Sequence, residues 1–157
     1  MTKVGLDFGK TIASFEEDKP FDNAFEVIKM IINKYTSSNV FIVSKARQET
    51  SEFILNWLER HNFYKLTGFL KENIYFVEEY ADKRTIVDTL KINIFIDDSI
   101  KIVRVLHSSE YIEKIIWFQG GDTKLLKEIP KNNRNKIIIA KEWNKIYKTF
   151  CKINLLK

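Results

Sequence analysis

At 157 residues the chain has the length of one domain, enough to bury about two thirds of its unfolded surface. Its single cysteine, Cys151, excludes an internal disulfide framework and favours a reducing, cytoplasmic setting; no apolar run approaches the roughly 20 residues of a membrane span, and no signal peptide is expected. The net charge of +5 is uneven: from Lys124 onward ten Lys or Arg stand against Glu128 and Glu142, a local balance of +8, which leaves −3 for residues 1–123.

Val4–Leu6 is a short apolar run that reads as a buried strand and breaks at Asp7. Ala24–Tyr35 carries Phe25, Ile28, Ile31, Ile32 and Tyr35 at helical spacing. Val40–Val43 is a second buried strand, ending at Ser44, and Glu49–His61 follows as an amphipathic helix with Phe53, Ile54, Trp57 and Leu58 on one face. Ile74–Val77 is a third strand. Asp82 is placed to cap a helix from Lys83 to about Leu90, since a carboxylate accepts from the free N-terminal amides. Ile92–Ile96 is a fourth strand, which breaks at Asp97-Asp98. Beyond it, Ile100–Leu106 reads as helix, Ile115–Phe118 as strand and Gly120-Gly121 as a turn. Asp122–Glu128 is expected as a short helix closed by Pro130, Ile137–Ile139 as a last strand and Glu142–Phe150 as a last helix. Strands apolar on both faces and alternating with helices predict an α/β fold, a single-domain three-layer sandwich over residues 1–157 with a mainly parallel, Rossmann-like sheet.

In such a sheet ligands bind beyond the carboxyl ends of the strands, so Asp7 and Asp97-Asp98 are able to meet across one crevice. Three carboxylates brought together repel one another unless a cation is bound among them, and oxygen-only ligation suits magnesium. Lys83, in the expected first turn of a helix, is an unfavourable cation for the macrodipole, which marks it as a candidate site residue. Lys10 and Lys45 flank the candidate site and add positive potential.

Asp7 after the first strand, Ser44 after the second, Lys83 at a helix start and Asp97-Asp98 after a later strand stand in the order of the four motifs of the haloacid dehalogenase-like hydrolases. The chain resembles that superfamily from Val4 to about Ser99, and a final strand followed by Trp143-Asn144-Lys145 looks like the usual end of that domain. The resemblance implies a magnesium-dependent phosphatase-like hydrolase, with Asp7 as nucleophile forming an aspartyl phosphate. It implies that Asp7, the Gly9 carbonyl and Asp98 bind the metal, with Asp97 nearer a supporting position. Ser44 would hold a phosphate oxygen, and Lys83 would neutralise the phosphoryl group and Asp7. Gly9 departs from the pattern: the phosphatases usually have a second aspartate there, acting first as general acid and then as base. An alternative is therefore a catalytically weakened member that binds a phosphorylated ligand, nucleic acid or a protein partner.

Val4-Gly5-Leu6-Asp7-Phe8-Gly9-Lys10-Thr11 is also similar to the first phosphate loop of the actin, sugar-kinase and heat-shock-chaperone ATPases. Those proteins need two α/β domains to enclose a nucleotide, and their pattern explains neither Ser44 nor Asp97-Asp98. The segments Thr11–Phe25 and Lys45–Asp82 leave no room for a sizeable cap. An open site suits a large phosphorylated substrate. The basic C-terminal third offers weak attraction for nucleic acid, or is a lysine-rich solvated face.

Overall fold

The computed structural model describes residues 1–156, with side chains described through Ile153; Lys157, the last cation of the basic third, lies outside the described residues. Six short runs rich in Ile, Val and Phe become the strands of one sheet, because residues apolar on both sides need both faces covered. These are β1 (Val4–Leu6), β4 (Val40–Lys45), β5 (Ile74–Val77), β6 (Ile94–Asp97), β7 (Lys114–Phe118) and β8 (Ile137–Ala140). All pair in parallel in the order β5-β4-β1-β6-β7-β8. The chain thus runs outward from β1 on one side, returns to β6 on the other, and leaves a switch point between them, where α/β sheets bind ligands. The expected fold class is present as a single-domain α/β sandwich.

The strand period of two assigns alternate residues to two cores. Val4, Leu6, Ile42, Ile94, Ile96 and Phe118 face the first core, with α1 (Ala24–Tyr35), α2 (Gln48–Arg60), α3 (Phe63–Thr67) and α7 (Trp143–Leu156). Phe41, Val43, Phe95, Ile115 and Trp117 face the second, under α4 (Tyr80–Leu90) and α5 (Ile100–Leu106). Gly5 is the close-approach position: a Cβ there would lie 2.5 Å from the Phe95 ring. Its absence lets that ring lie across β1.

The differences from expectation are local. Between β1 and α1 the chain forms a small antiparallel hairpin, β2 (Ala13–Ser14) and β3 (Lys19–Pro20), whose two-residue strands carry no periodicity. Helix α4 begins at Tyr80, three residues before the expected start at Lys83. Glu79 is its N-cap and Asp82 its third residue, in a reciprocal capping box, so Asp82 supports the cap and is not the cap itself. Thr123–Leu126 is a single 3-10 turn capped by Asp122, in place of a helix to Glu128, and α6 (Lys131–Arg134) follows Pro130. The turn expected at Gly120-Gly121 centres one residue earlier, on Gln119, whose φ is 59°. Among the described residues no helix is long and apolar enough to cross a membrane.

Candidate functional site

Asp7, Gly9, Lys10, Ser44, Lys45, Lys83, Asp97 and Asp98 all line one cleft of about 670 Å³ at the carboxyl ends of the strands. The sheet does most of this positioning. Asp7 is the first residue past β1, and its amide donates to the Ile96 carbonyl of β6 at 2.9 Å, which continues the ladder one step beyond the strand. Asp97 ends β6 and Ser44 lies in the last turn of β4, so three neighbouring strands deliver them side by side.

Lys83 rises from α4 with 2% of its surface exposed. Its Nζ donates to Asp7 Oδ1 at 2.9 Å and to Asp97 Oδ2 at 2.8 Å, and sits 5.7 Å from the centre of the Phe95 ring. Burial alone would lower the Lys83 pKa, but the charges of Asp7 and Asp97 outweigh it and hold the ammonium well above its usual value. Asp97 spends its other oxygen on the Ser99 amide, at 3.0 Å. Asp98 is only half-buried and opens on the cleft. Thr11, fully buried, places Oγ1 at 3.3 Å from both Asp7 Oδ2 and Asp98 Oδ1, one hydroxyl between two carboxylates.

The group is short of positive charge. Asp7, Asp97 and Asp98 each offer a carboxylate oxygen within 4.8 Å of the others, against one ammonium. Burial, then repulsion by Asp7, pushes Asp97 up to about 8, with Lys83 and the Ser99 amide opposing. Burial and then Asp7 raise Asp98 to about 6, against its own backbone amide and the Thr11 hydroxyl. A hard dication among these oxygens would remove that excess, so the donor set fits magnesium.

Two tryptophans also fix the site loops. Trp117 donates from Nε1 to the Asp98 carbonyl at 3.1 Å, and Trp143 to the Thr11 carbonyl at 2.9 Å. Both are buried, as core periodicity implies, but nothing in that periodicity tells where an indole N–H points. The Phe8 carbonyl gathers the amides of Thr11, Ile12 and Ala13, and Lys10 takes a φ of 60°, so the segment after Asp7 is a tight turn leading into the hairpin. The hairpin tip is tied to α2 by Asp18, whose carboxylate receives both guanidinium nitrogens of Arg60, at 2.8 and 3.0 Å.

Gly9 has no left-handed backbone; its small size leaves room for Phe15. A Cβ there would meet that ring at 2.9 Å. Where the related motif usually has a carboxyl group, this cleft has an aromatic edge. The rim adds residues the sequence did not single out: Arg47, Tyr80 and Lys101. Conversely, among the described residues none from Lys124 onward lines the cleft.

No protein-family model matches the chain, and no curated protein matches it significantly. Among solved structures, a de novo designed Rossmann 3x3 fold protein, known from solution NMR, is similar with a TM-score of 0.54 and 12% identity, over 96% of this chain and 93% of that one. The C-terminal domain of a glycosyl transferase group 1 family protein, LpcC, from Francisella tularensis covers 97% of this chain and 74% of its own at 14% identity, with a TM-score of 0.48. The likeness to the designed protein establishes the Rossmann-like fold alone.

Proposed function

We propose that the cleft carries out magnesium-dependent phosphoryl transfer to Asp7, in the manner of the haloacid dehalogenase-like hydrolases that its motifs resemble. The observation that supports this reading best is the buried Lys83 ammonium, held at 2.9 Å from Asp7 and 2.8 Å from Asp97 beneath a cleft that Asp98 shares. A structural ion pair needs two partners; a third carboxylate facing the opening needs another explanation.

Asp7, Asp98 and the Gly9 carbonyl would hold the magnesium, with Asp97 orienting the group from behind. The ion would offset charge on the phosphoryl oxygens, as it does in phosphoryl transfer generally. Lys83 pairs with the Asp7 carboxylate at 2.9 Å and fixes its direction. The nucleophilic oxygen of Asp7 forms the new bond to phosphorus, and the bond from phosphorus to the leaving oxygen breaks with its electron pair going to that oxygen. Ser44, 3% exposed at the cleft wall, is the hydroxyl placed to donate to the transferred group. Water then cleaves the acyl phosphate, which restores Asp7 and releases phosphate.

With glycine at position 9, the leaving oxygen has no carboxyl group there to protonate it. This favours leaving groups that depart as stable anions, such as aryl or acyl phosphates. The same residue supports the second reading, a weakened member of the fold that binds a phosphorylated ligand without efficient turnover. Magnesium-dependent phosphate release across aryl phosphates, nucleotides, sugar phosphates and phosphorylated nucleic-acid ends separates the two. Release that disappears in Asp7→Asn supports the hydrolase; no release from any of them leaves the binding protein.

A further inference from the structure

The cleft has two unlike walls. On the side of the first core, Phe15 from the hairpin and Ile54 from α2 line it, and Phe53 abuts Phe15 with ring centres 6.0 Å apart. Phe15 and Phe53 are 47% and 46% exposed, although every other phenylalanine with an assigned burial is buried or half-buried. The two rings are inclined to each other by 57°, and Phe15, the one that lines the cleft, offers an apolar face at its mouth for a flat group, with Phe53 beside it.

On the side of the second core, Tyr80 opens α4 and Lys101 lies in the first turn of α5. The Lys45 ammonium stands 4.4 Å from the centre of the Tyr80 ring and the Lys101 ammonium 5.1 Å from the same centre. Arg47 is on the same rim, paired with Glu79 at 4.0 Å, and Glu78 also lines the cleft. The ring attracts each cation, but the two like charges that share it repel. An anion bound on this wall offsets that cost. Neither wall serves the transfer at Asp7 described above.

We infer that the ligand of this cleft is a nucleoside 3′,5′-bisphosphate unit, with its base against Phe15, one phosphate at Asp7 and the second on the wall that carries Lys45 and Lys101. The inference rests on the proposed reading of Asp7 for which phosphate reacts. A ribose carries a flat base and two phosphates on one ring, which matches an aromatic wall, a reacting centre and a cationic wall that line one cleft. A free nucleoside bisphosphate and the phosphorylated end of a nucleic-acid strand both contain that unit. The absence of a large insertion over the cleft leaves room for either.

Binding decides the matter without requiring turnover. Full-length Asp7→Asn protein, which cannot form the acyl phosphate, is titrated calorimetrically with adenosine 3′,5′-bisphosphate, adenosine 5′-monophosphate, adenosine 3′-monophosphate and ribose 5-phosphate, with magnesium present. The bisphosphate should bind at least about tenfold more tightly than either monophosphate, and adenosine 5′-monophosphate more tightly than ribose 5-phosphate. Adding Lys45→Ala and Lys101→Ala should abolish the first preference, and Phe15→Ala the second, in proteins whose thermal unfolding shows them folded. Equal affinity for bisphosphate and monophosphates, or a preference that survives loss of both lysines, overturns the inference. A short oligonucleotide with and without a terminal phosphate separates the sources: tighter binding of the phosphorylated strand than of the bisphosphate assigns a strand end, and weaker binding assigns the free nucleotide. Phosphate release from para-nitrophenyl phosphate by the wild type is a separate readout. Its absence counts against the hydrolase, while the bisphosphate preference still tests the subsite.

Discussion

The Trp143 indole N–H donates to the Thr11 carbonyl at 2.9 Å across 132 residues of sequence. Through it the last helix of the fold fixes the turn that follows Asp7, and Thr11 in turn sets its hydroxyl between Asp7 and Asp98. Trp143→Phe keeps most of the packing and removes the donor. It should cost about 1 kcal/mol of stability, the usual size for a buried hydrogen bond, and weaken magnesium binding because the Thr11 turn loses its anchor. Urea unfolding and calorimetry measure the two effects. A stability loss with unchanged magnesium affinity would show that the tryptophan serves packing alone.

Lys83 is the counter-charge for a buried acidic group, and Lys83→Met fills its space without a charge. Removing one partner of a buried ion pair typically costs about 3–5 kcal/mol, and that loss is expected above about pH 8 in the absence of metal. The loss should shrink as pH falls, as first Asp97 and then Asp98 take up protons. The variant should also fail to bind fluoroberyllate, an aspartyl-phosphate mimic, under conditions where it is folded. Wild-type affinity for fluoroberyllate in Lys83→Met would place the lysine outside the phosphoryl site.

The raised carboxyl groups give the metal-free protein an unusual pH profile. Asp97 and Asp98 have folded pKa values pushed to about 8 and about 6, above the ordinary 3.8. Between those limits the folded state binds more protons than the unfolded one, so stability should fall as pH rises from about 4 to about 8. Asp18 and Asp88, whose values are lowered, contribute only on the acid side of that window. If magnesium binds in place of these protons, as proposed, the rise in Tm on adding it should be larger at pH 8 than at pH 5. Asp98→Ala should remove most of the rise. A magnesium effect independent of pH and of Asp98 would count against the metal site.

Gly9→Asp tests the missing acid. The Phe15 ring that a Cβ would approach at 2.9 Å is the far end of a side chain 47% exposed, and the backbone at Gly9 is not left-handed, so the substitution fits if that ring turns aside. A positioned carboxyl group contributes about 10²–10⁴-fold to proton transfer, and alkyl phosphate hydrolysis should rise by some part of that range. Aryl phosphates, whose leaving groups need no proton, should change much less. Equal hydrolysis of aryl and alkyl phosphates by the wild type would mean that another acid is already in place.

The amino-acid sequence by itself determined the sheet and the residues that reach its ligand-binding edge. Runs such as Val4–Leu6 and Val40–Val43 are apolar on both faces and therefore become interior parallel strands, Ile74–Val77 becomes the edge strand beside Val40–Lys45, and the aspartates that break two such runs come out at adjacent strand ends. Ala24–Tyr35 was legible to the residue because its apolar stripe is complete. The hairpin at Ala13–Pro20 was not, since two-residue strands carry no pattern, and neither was the capping box that moved the start of α4 back to Tyr80. Only the tertiary structure decided that Trp117 and Trp143 hold the site loops, that Phe15 occupies the space beside Gly9, and that Lys45 and Lys101 both approach the Tyr80 ring. Periodicity reports which face of an element is buried, whereas the direction of an N–H, the space beside a glycine and the approach of two distant cations to one ring depend on how separate elements pack together.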